Sequence, residues 1–280
     1  MKKPKLKLNS IIWIVVIFSA LCLSYSCCAT SQLGLVSRED ATHINRNAFT
    51  LVEASYELIA TECLGNEKKC KTMPRNIKVN SMQARGSGVI IEHRRNSTYI
   101  MTAGHVCEHS FPDTVNVDGL KYATRSHTSI RFFDLYGSSH EGRVLYSDME
   151  ADICIVESPG QWGSTIRIAD SMPRHGARVF NTAAPFGIYS PKMVLIFEGF
   201  YSGEDMTGNV FFTLPCRPGS SGSPVYNSDG ELISIIHSAS VMFENLGLGS
   251  RLEIIKEAIK AHIPPKLEPI VHYMWYKEVN

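Results

Sequence analysis

Beyond its first ten residues this chain of 280 has no run of like charge. Lys2, Lys3, Lys5 and Lys7 fall in that segment with no acid beside them, so the whole-chain charge of +1 becomes −3 without it. A mildly acidic body with no lysine or arginine cluster argues against a nucleic-acid partner. The chain also has no internal repeat with a period of roughly 20 to 50 residues and no low-complexity tract, so a repeat architecture is excluded. No cysteine, histidine or acidic group shows zinc-ligand spacing, and neither a metal nor a cofactor is implied. Long hydrophobic runs are scarce too. The most apolar stretch, residues 11–23, is shorter than the roughly 20 residues that cross a bilayer.

That stretch follows the basic segment directly and suits the hydrophobic core of an export signal. Ser24 and Ser26 put small residues where an exporting peptidase tests them, and Cys27 comes next. Residues 23–27 faintly resemble a bacterial lipoprotein box, but leucine is displaced by one position and Tyr25 is bulky. Cleaved secretion, an uncleaved anchor and lipidation at Cys27 all stay open. Each exports the body, periplasmic or extracellular, and confines membrane contact to residues 1–30.

Eight cysteines occur, at 22, 27, 28, 63, 70, 107, 154 and 216. Cys63 and Cys70 bracket a polar turn at 64–69 and are expected to close a small disulfide loop in an oxidising compartment. Cys107, Cys154 and Cys216 are three, so they cannot all pair among themselves. They read as buried free thiols, which pack as small hydrophobes.

From residue 86 onward short β-like runs alternate with Gly, Pro, Asn and Asp. They fall at 87–92, 98–101, 129–133, 143–146, 153–156, 178–181, 192–200, 210–214, 223–226 and 231–236. Many short strands between turn residues predict an all-β sandwich or barrel. Residues 252–262 carry helical spacing (Leu252, Ile255, Ala258, Ile259, His262) and are stopped by Pro264 and Pro265. Residues 48–61 fit an amphipathic helix or a first strand pair equally well.

Three motifs carry chemistry. Pro218-Gly219-Ser220-Ser221-Gly222-Ser223-Pro224 lets a backbone turn tightly around an exposed hydroxyl, and a nucleophilic serine needs such a turn, a base and N–H donors for an oxyanion. Thr102-Ala103-Gly104-His105-Val106-Cys107 ends an apolar run and offers an imidazole, the side chain that titrates near neutral pH. Asp152 opens the apolar run Ile153 to Val156; Asp148 is its nearest competitor. The order His105, Asp152, Ser221 is one of the orders in which the convergent triad occurs.

On these motifs the chain resembles the chymotrypsin/trypsin-like serine protease family over residues 80–262. The resemblance implies two six-stranded antiparallel β-barrels with a C-terminal helix. Barrel one would span 80–170 and barrel two with its helix 171–262, after an N-terminal extension at 31–79 and before a tail at 263–280. His105, Asp152 and Ser221 would meet in the cleft, with His105 Nε2 within or near hydrogen-bond reach of Ser221. The N–H groups of Gly219 and Ser221 would form the oxyanion hole, and a protein or peptide would be the substrate. Only 18 residues follow His262, too few for an appended PDZ-type module.

Two departures bear on activation and specificity. Ser220 stands where activated digestive members carry an aspartate, and no Ile-Val-Gly-Gly-like segment precedes the first barrel, so cleavage-triggered activation is not expected. Pro215 stands where basic-specific members carry the pocket aspartate. With Cys216, Ser238 and Ala239 it implies a small to medium, uncharged pocket. His237 falls one residue later than the histidine that some relatives use to bind Glu or Gln, and a one-residue slip turns a side chain to the other face. A structural role beside Asp152 and a specificity role both stand. The alternative function is a catalytically silent binding protein of the cell envelope. An α/β-hydrolase is excluded because its serine comes first and is followed by a helix.

Overall fold

Strict alternation resolves the ambiguous segment near residue 50. Val52, Ala54, Tyr56, Leu58 and Ala60 are all buried, and the residues between them are only partly covered. That period of two is a strand with one face on a core. Leu51, Ala54 and Leu58 also fall at helical spacing, which is why the sequence leaves both readings open.

The computed structural model describes residues 43–65, 70, 76–240, 242–243 and 245–265. The expected signal or anchor at 1–30 and the tail from 266 onward lie outside the described residues. The strands are β1 (Phe49–Cys63), β2 (Ile77–Arg94), β3 (Ser97–Thr102), β4 (Thr114–Val117), β5 (Leu120–Phe133), β6 (Ser139–Asp148) and β7 (Ile153–Pro159). Next come β8 (Arg178–Ala183), β9 (Leu195–Glu204), β10 (Val210–Phe212), β11 (Pro224–Tyr226), β12 (Leu232–Ala239) and β13 (Gly247–Gly249). A single turn, α1 (Gly104–Cys107), follows β3, and α2 (Leu252–His262) follows β13.

The first sheet runs β1-β2-β3-β7-β6-β5, closes through antiparallel β1–β5 pairing, and carries β4 outside β5. The second is the closed barrel β10-β13-β12-β11-β8-β9. Closure leaves each six-stranded barrel without an open edge. Val52, Ile90, Ile100, Phe132 and Val156 fill the first core, and Val179, Phe212, Leu214, Val225 and Ile236 the second. Leu252 and Ile255 of α2 are fully buried.

Two sequence expectations need correction. The first barrel begins at Phe49, not at residue 80, because β1 supplies both the β2 and the β5 seams. Segment 31–79 is therefore not an extension as a whole. The second correction concerns the cysteines: Cys107 and Cys154 are not free thiols but a disulfide, with Cα atoms 6.3 Å apart. Thr102 of β3 pairs with Cys154 of β7, and α1 folds back over that pair, so residues 47 apart in sequence meet. Both are buried, as hydrophobes would be, and the spacing alone does not reveal the pairing. The Cys63–Cys70 bridge forms as expected, Cα–Cα 5.6 Å, and Cys216 is free and buried.

The two bridges should differ in worth. Loop-closure entropy assigns about 4 kcal/mol to the 47-residue separation and about 2.4 kcal/mol to the 7-residue one. Urea unfolding of the Cys107→Ala/Cys154→Ala pair should show the larger loss. A larger loss in Cys63→Ala/Cys70→Ala would contradict this ranking.

Candidate active site

The turn that carries His105 is anchored on every side except that of the imidazole. Val106 and Cys107 are buried, and the Tyr56 hydroxyl donates to the Val106 carbonyl at 2.6 Å. Burial pushes the Tyr56 phenol up to about 12, so it stays a donor. Gly104 is required by close approach. A Cβ there would stand 2.7 Å from the Asp148 carbonyl oxygen and 3.2 Å from Asp152 Oδ1.

That approach delivers the acid to the base. Asp152 sits in the left-handed region (φ 51°), which short polar side chains tolerate better than most. Its Oδ1 accepts the His105 backbone N–H at 2.9 Å, and Oδ2 lies 2.8 Å from Nδ1. Asp148 is occupied elsewhere, accepting the N–H groups of Glu150 and Ala151 and the Tyr146 hydroxyl. Burial raises the Asp152 carboxyl, but the hydrogen bonds from the His105 ring and backbone outweigh it and hold the group below the usual carboxylate range.

The Ser221 turn is shaped by two glycines at positive φ. A Cβ on Gly219 (φ 96°) would lie 2.6 Å from the Ala184 carbonyl oxygen. On Gly222 (φ 83°) it would lie 2.1 Å from both the Ser87 carbonyl oxygen and Thr102 Oγ1. The Ser221 carbonyl accepts the Ser87 N–H at 2.7 Å. A Cβ on Gly86 would meet both the Ser221 carbonyl oxygen and the Val106 side chain, so the serine turn and the His105 turn share one seam. Among the described residues no hydrogen bond joins Ser221 Oγ to the imidazole. Catalytic hydrogen bonds of this kind are often long before substrate tightens them.

Beside Ser221 opens a pocket of about 400 Å³, lined by Cys216, Ser220, Ser238 and Ala239 together with Arg217 and Ser240. Pro215 and His237 are outside this lining. His237 lines a different cavity with Asp148, Ala151, Ser250 and Arg251. Arg217 and Ser240 are among the lining residues that sequence reasoning missed, and Arg217 is the charged one. Its signal was a lone cation four positions before the serine.

A family model described as a trypsin-like peptidase domain matches residues 86–235, over half of the chain, and spans all three residues. The chain belongs to the trypsin-like peptidase family. Among solved structures it is similar to the serine endoprotease from Yersinia pestis, with a TM-score of 0.56 and 17% identity over 81% of this chain and 67% of that one. At that identity the likeness speaks for the fold. No curated protein matches significantly. Membership makes the protein a serine endopeptidase, with polypeptides as substrates.

A second imidazole, His237, interacts electrostatically with Asp152. Burial pushes His237 below its ordinary value, the Asp152 charge pushes it back up, and the net shift is downward. Its Nδ1 is 3.0 Å from Ser238 Oγ. The unfolded chain therefore takes up a proton near pH 6.5 that the folded chain resists, so His237 costs stability as pH falls below 6.5. His237→Gln should flatten the decline in stability between about pH 6.5 and 5. Thermal unfolding across that range is the measurement, and an unchanged slope would refute the assignment.

Proposed function

We propose that this peptidase is exported and cleaves peptide bonds with Ser221 as nucleophile, His105 as general base and then acid, and Asp152 as the group that orients the imidazole. The observation that carries this reading is the paired hydrogen bond from one residue, His105, to the Asp152 carboxylate through Nδ1 and the backbone N–H. It fixes the ring so that Nε2 is free to face the serine turn. Ser221 Oγ attacks the scissile carbonyl carbon while its proton passes to Nε2. Asp152 stays ionised and stabilises the imidazolium. The N–H groups of Gly219 and Ser221 receive the tetrahedral oxyanion. Collapse transfers the proton to the leaving amine and leaves an acyl group on Ser221, which water then removes.

Competence without a cleaved N-terminus has local support. Ser220, at the position of the activating aspartate, is buried, and its Oγ accepts the Arg217 N–H at 3.3 Å. No charge there waits for a new terminus. Export is supported by two disulfide bridges, which persist in oxidising compartments, and by the basic segment and apolar run at the N-terminus. Retention at the membrane through that segment, with or without lipid, belongs to the same reading.

Specificity is read from the pocket. Among the described residues the lining holds no carboxylate, so a Lys or Arg side chain would find no compensating charge among them. Small, apolar, Glu and Gln residues are admitted. A peptide-library profile should be poor in Lys and Arg before the cut and should not change in His237→Ala, whose ring belongs to another cavity. A profile dominated by Lys or Arg refutes the pocket reading.

The triad itself is tested by fluorophosphonate labelling, which selects a base-activated serine. Ser221 should be labelled, and Ser221→Ala should abolish labelling without unfolding. Asp152→Asn should lower kcat by about 10⁴-fold, whereas Asp148→Asn should stay within about tenfold of the parent. Intact labelling of Ser221→Ala at another serine sinks the nucleophile assignment. A folded parent that resists label throughout favours the silent envelope protein.

A further inference from the structure

Ser87 lies on β2, opposite Leu51 of β1, and its side chain is fully buried between the two barrels. Four polar contacts surround it. Its Oγ accepts the Ala184 N–H at 3.0 Å and donates to the Gly219 carbonyl at 2.9 Å. Its own N–H donates to the Ser221 carbonyl at 2.7 Å, and its carbonyl accepts from Thr102 Oγ1 at 2.8 Å. A hydroxyl has one proton. With Ala184 already donating to Oγ, that proton goes to Gly219.

The consequence lies in the peptide planes. The Gly219 N–H shares a plane with the Pro218 carbonyl, which accepts the Phe186 N–H at 2.6 Å. The Ser221 N–H shares a plane with the Ser220 carbonyl, which accepts the Ser223 N–H at 3.0 Å. Between these two lies the plane of the Gly219 carbonyl, and after them the plane of the Ser221 carbonyl. Ser87 holds both. The Ser220 N–H of the intervening plane donates to the Arg217 carbonyl at 2.8 Å within the turn. The plane turns about a glycine at φ 96°, where no Cβ restricts rotation, and Ser87 is the partner that holds its carbonyl from the other barrel.

We propose that Ser87 is a positioning residue of the reaction. Its hydroxyl and backbone N–H fix the planes around Gly219 and Ser221 so that both N–H donors converge on the developing oxyanion. The inference rests on the oxyanion roles proposed above. Losing one such donor outright costs roughly 10²- to 10³-fold in kcat, and a mis-aimed pair should cost about 10- to 100-fold.

Ser87→Thr and Ser87→Val test it, because both add the same bulk and only threonine keeps a hydroxyl. The threonine variant should exceed the valine variant at least about tenfold in kcat, with KM within about twofold. Affinity for a peptide aldehyde, whose hemiacetal oxygen occupies the oxyanion position, should fall by the same factor as kcat. In a Ser221→Ala background the two variants should bind uncleaved peptide equally. Equal kcat in the two variants overturns the proposal, as does a valine deficit that appears equally in peptide binding. If the added methyl prevents folding, Ser87→Ala is compared with the parent by the same aldehyde-to-peptide ratio, and an unchanged ratio overturns it. Labelling of Ser221 in the parent is read first. An unlabelled parent sinks the functional reading, whereas a labelled parent with equal threonine and valine variants sinks only this inference.

Discussion

The Asp152 carboxylate takes hydrogen bonds from both the backbone and the ring of His105. A single bond to the ring would leave it free to pivot; the second ties the acid to the chain that carries the ring. This arrangement makes demands on its surroundings. The acid loop must approach within a distance that only glycine allows at position 104, and the acid must adopt a left-handed backbone. The two strands that deliver the loops must also be neighbours. β3 and β7 are paired, with Thr102 opposite Cys154, and the Cys107–Cys154 bridge closes the same corner covalently.

The serine comes from the other barrel, so its placement is a docking problem. What crosses the seam is mainly backbone. Ser87 donates to the Ser221 carbonyl, and the Gly222 turn packs against Ser87 and Thr102 with no room for a side chain. The Gly222 N–H in turn bonds the Ile236 carbonyl, and Ile236 N–H bonds Ser223, which fastens the turn to β12 of its own barrel. The turn is thus pinned from both sides by groups that have little conformational freedom.

Much of this was legible in the sequence because the chemistry is local. The glycines around Ser221, the apolar run before His105 and the strand edge at Asp152 each announce themselves within a few residues. Asp152 lies against His105, while Asp148 spends its oxygens on its own turn. What stayed hidden was long-range. The Cys107–Cys154 pairing depends on which strands neighbour each other, and nothing near either cysteine encodes that. β1 is ambiguous because Leu51, Ala54 and Leu58 fit a helical period while Val52, Ala54, Tyr56 and Leu58 fit a period of two, and only its two neighbouring strands decide between them. His237 turned away from the Ser221 pocket because a one-residue offset on a strand reverses the face.

Cys216 shows what the second barrel does for a chain that oxidises as it folds. Among the described residues it is the cysteine without a partner, and it sits against Gly247, where a Cβ would come within 2.5 Å of its sulfur. Burial pushes its thiol up to about 12. Exchange requires the thiolate, the form that burial disfavours here. Once β10 to β13 close around it, Cys216 is held in the less reactive thiol form. The closed second barrel thus keeps this thiol out of exchange with the Cys107–Cys154 and Cys63–Cys70 bridges.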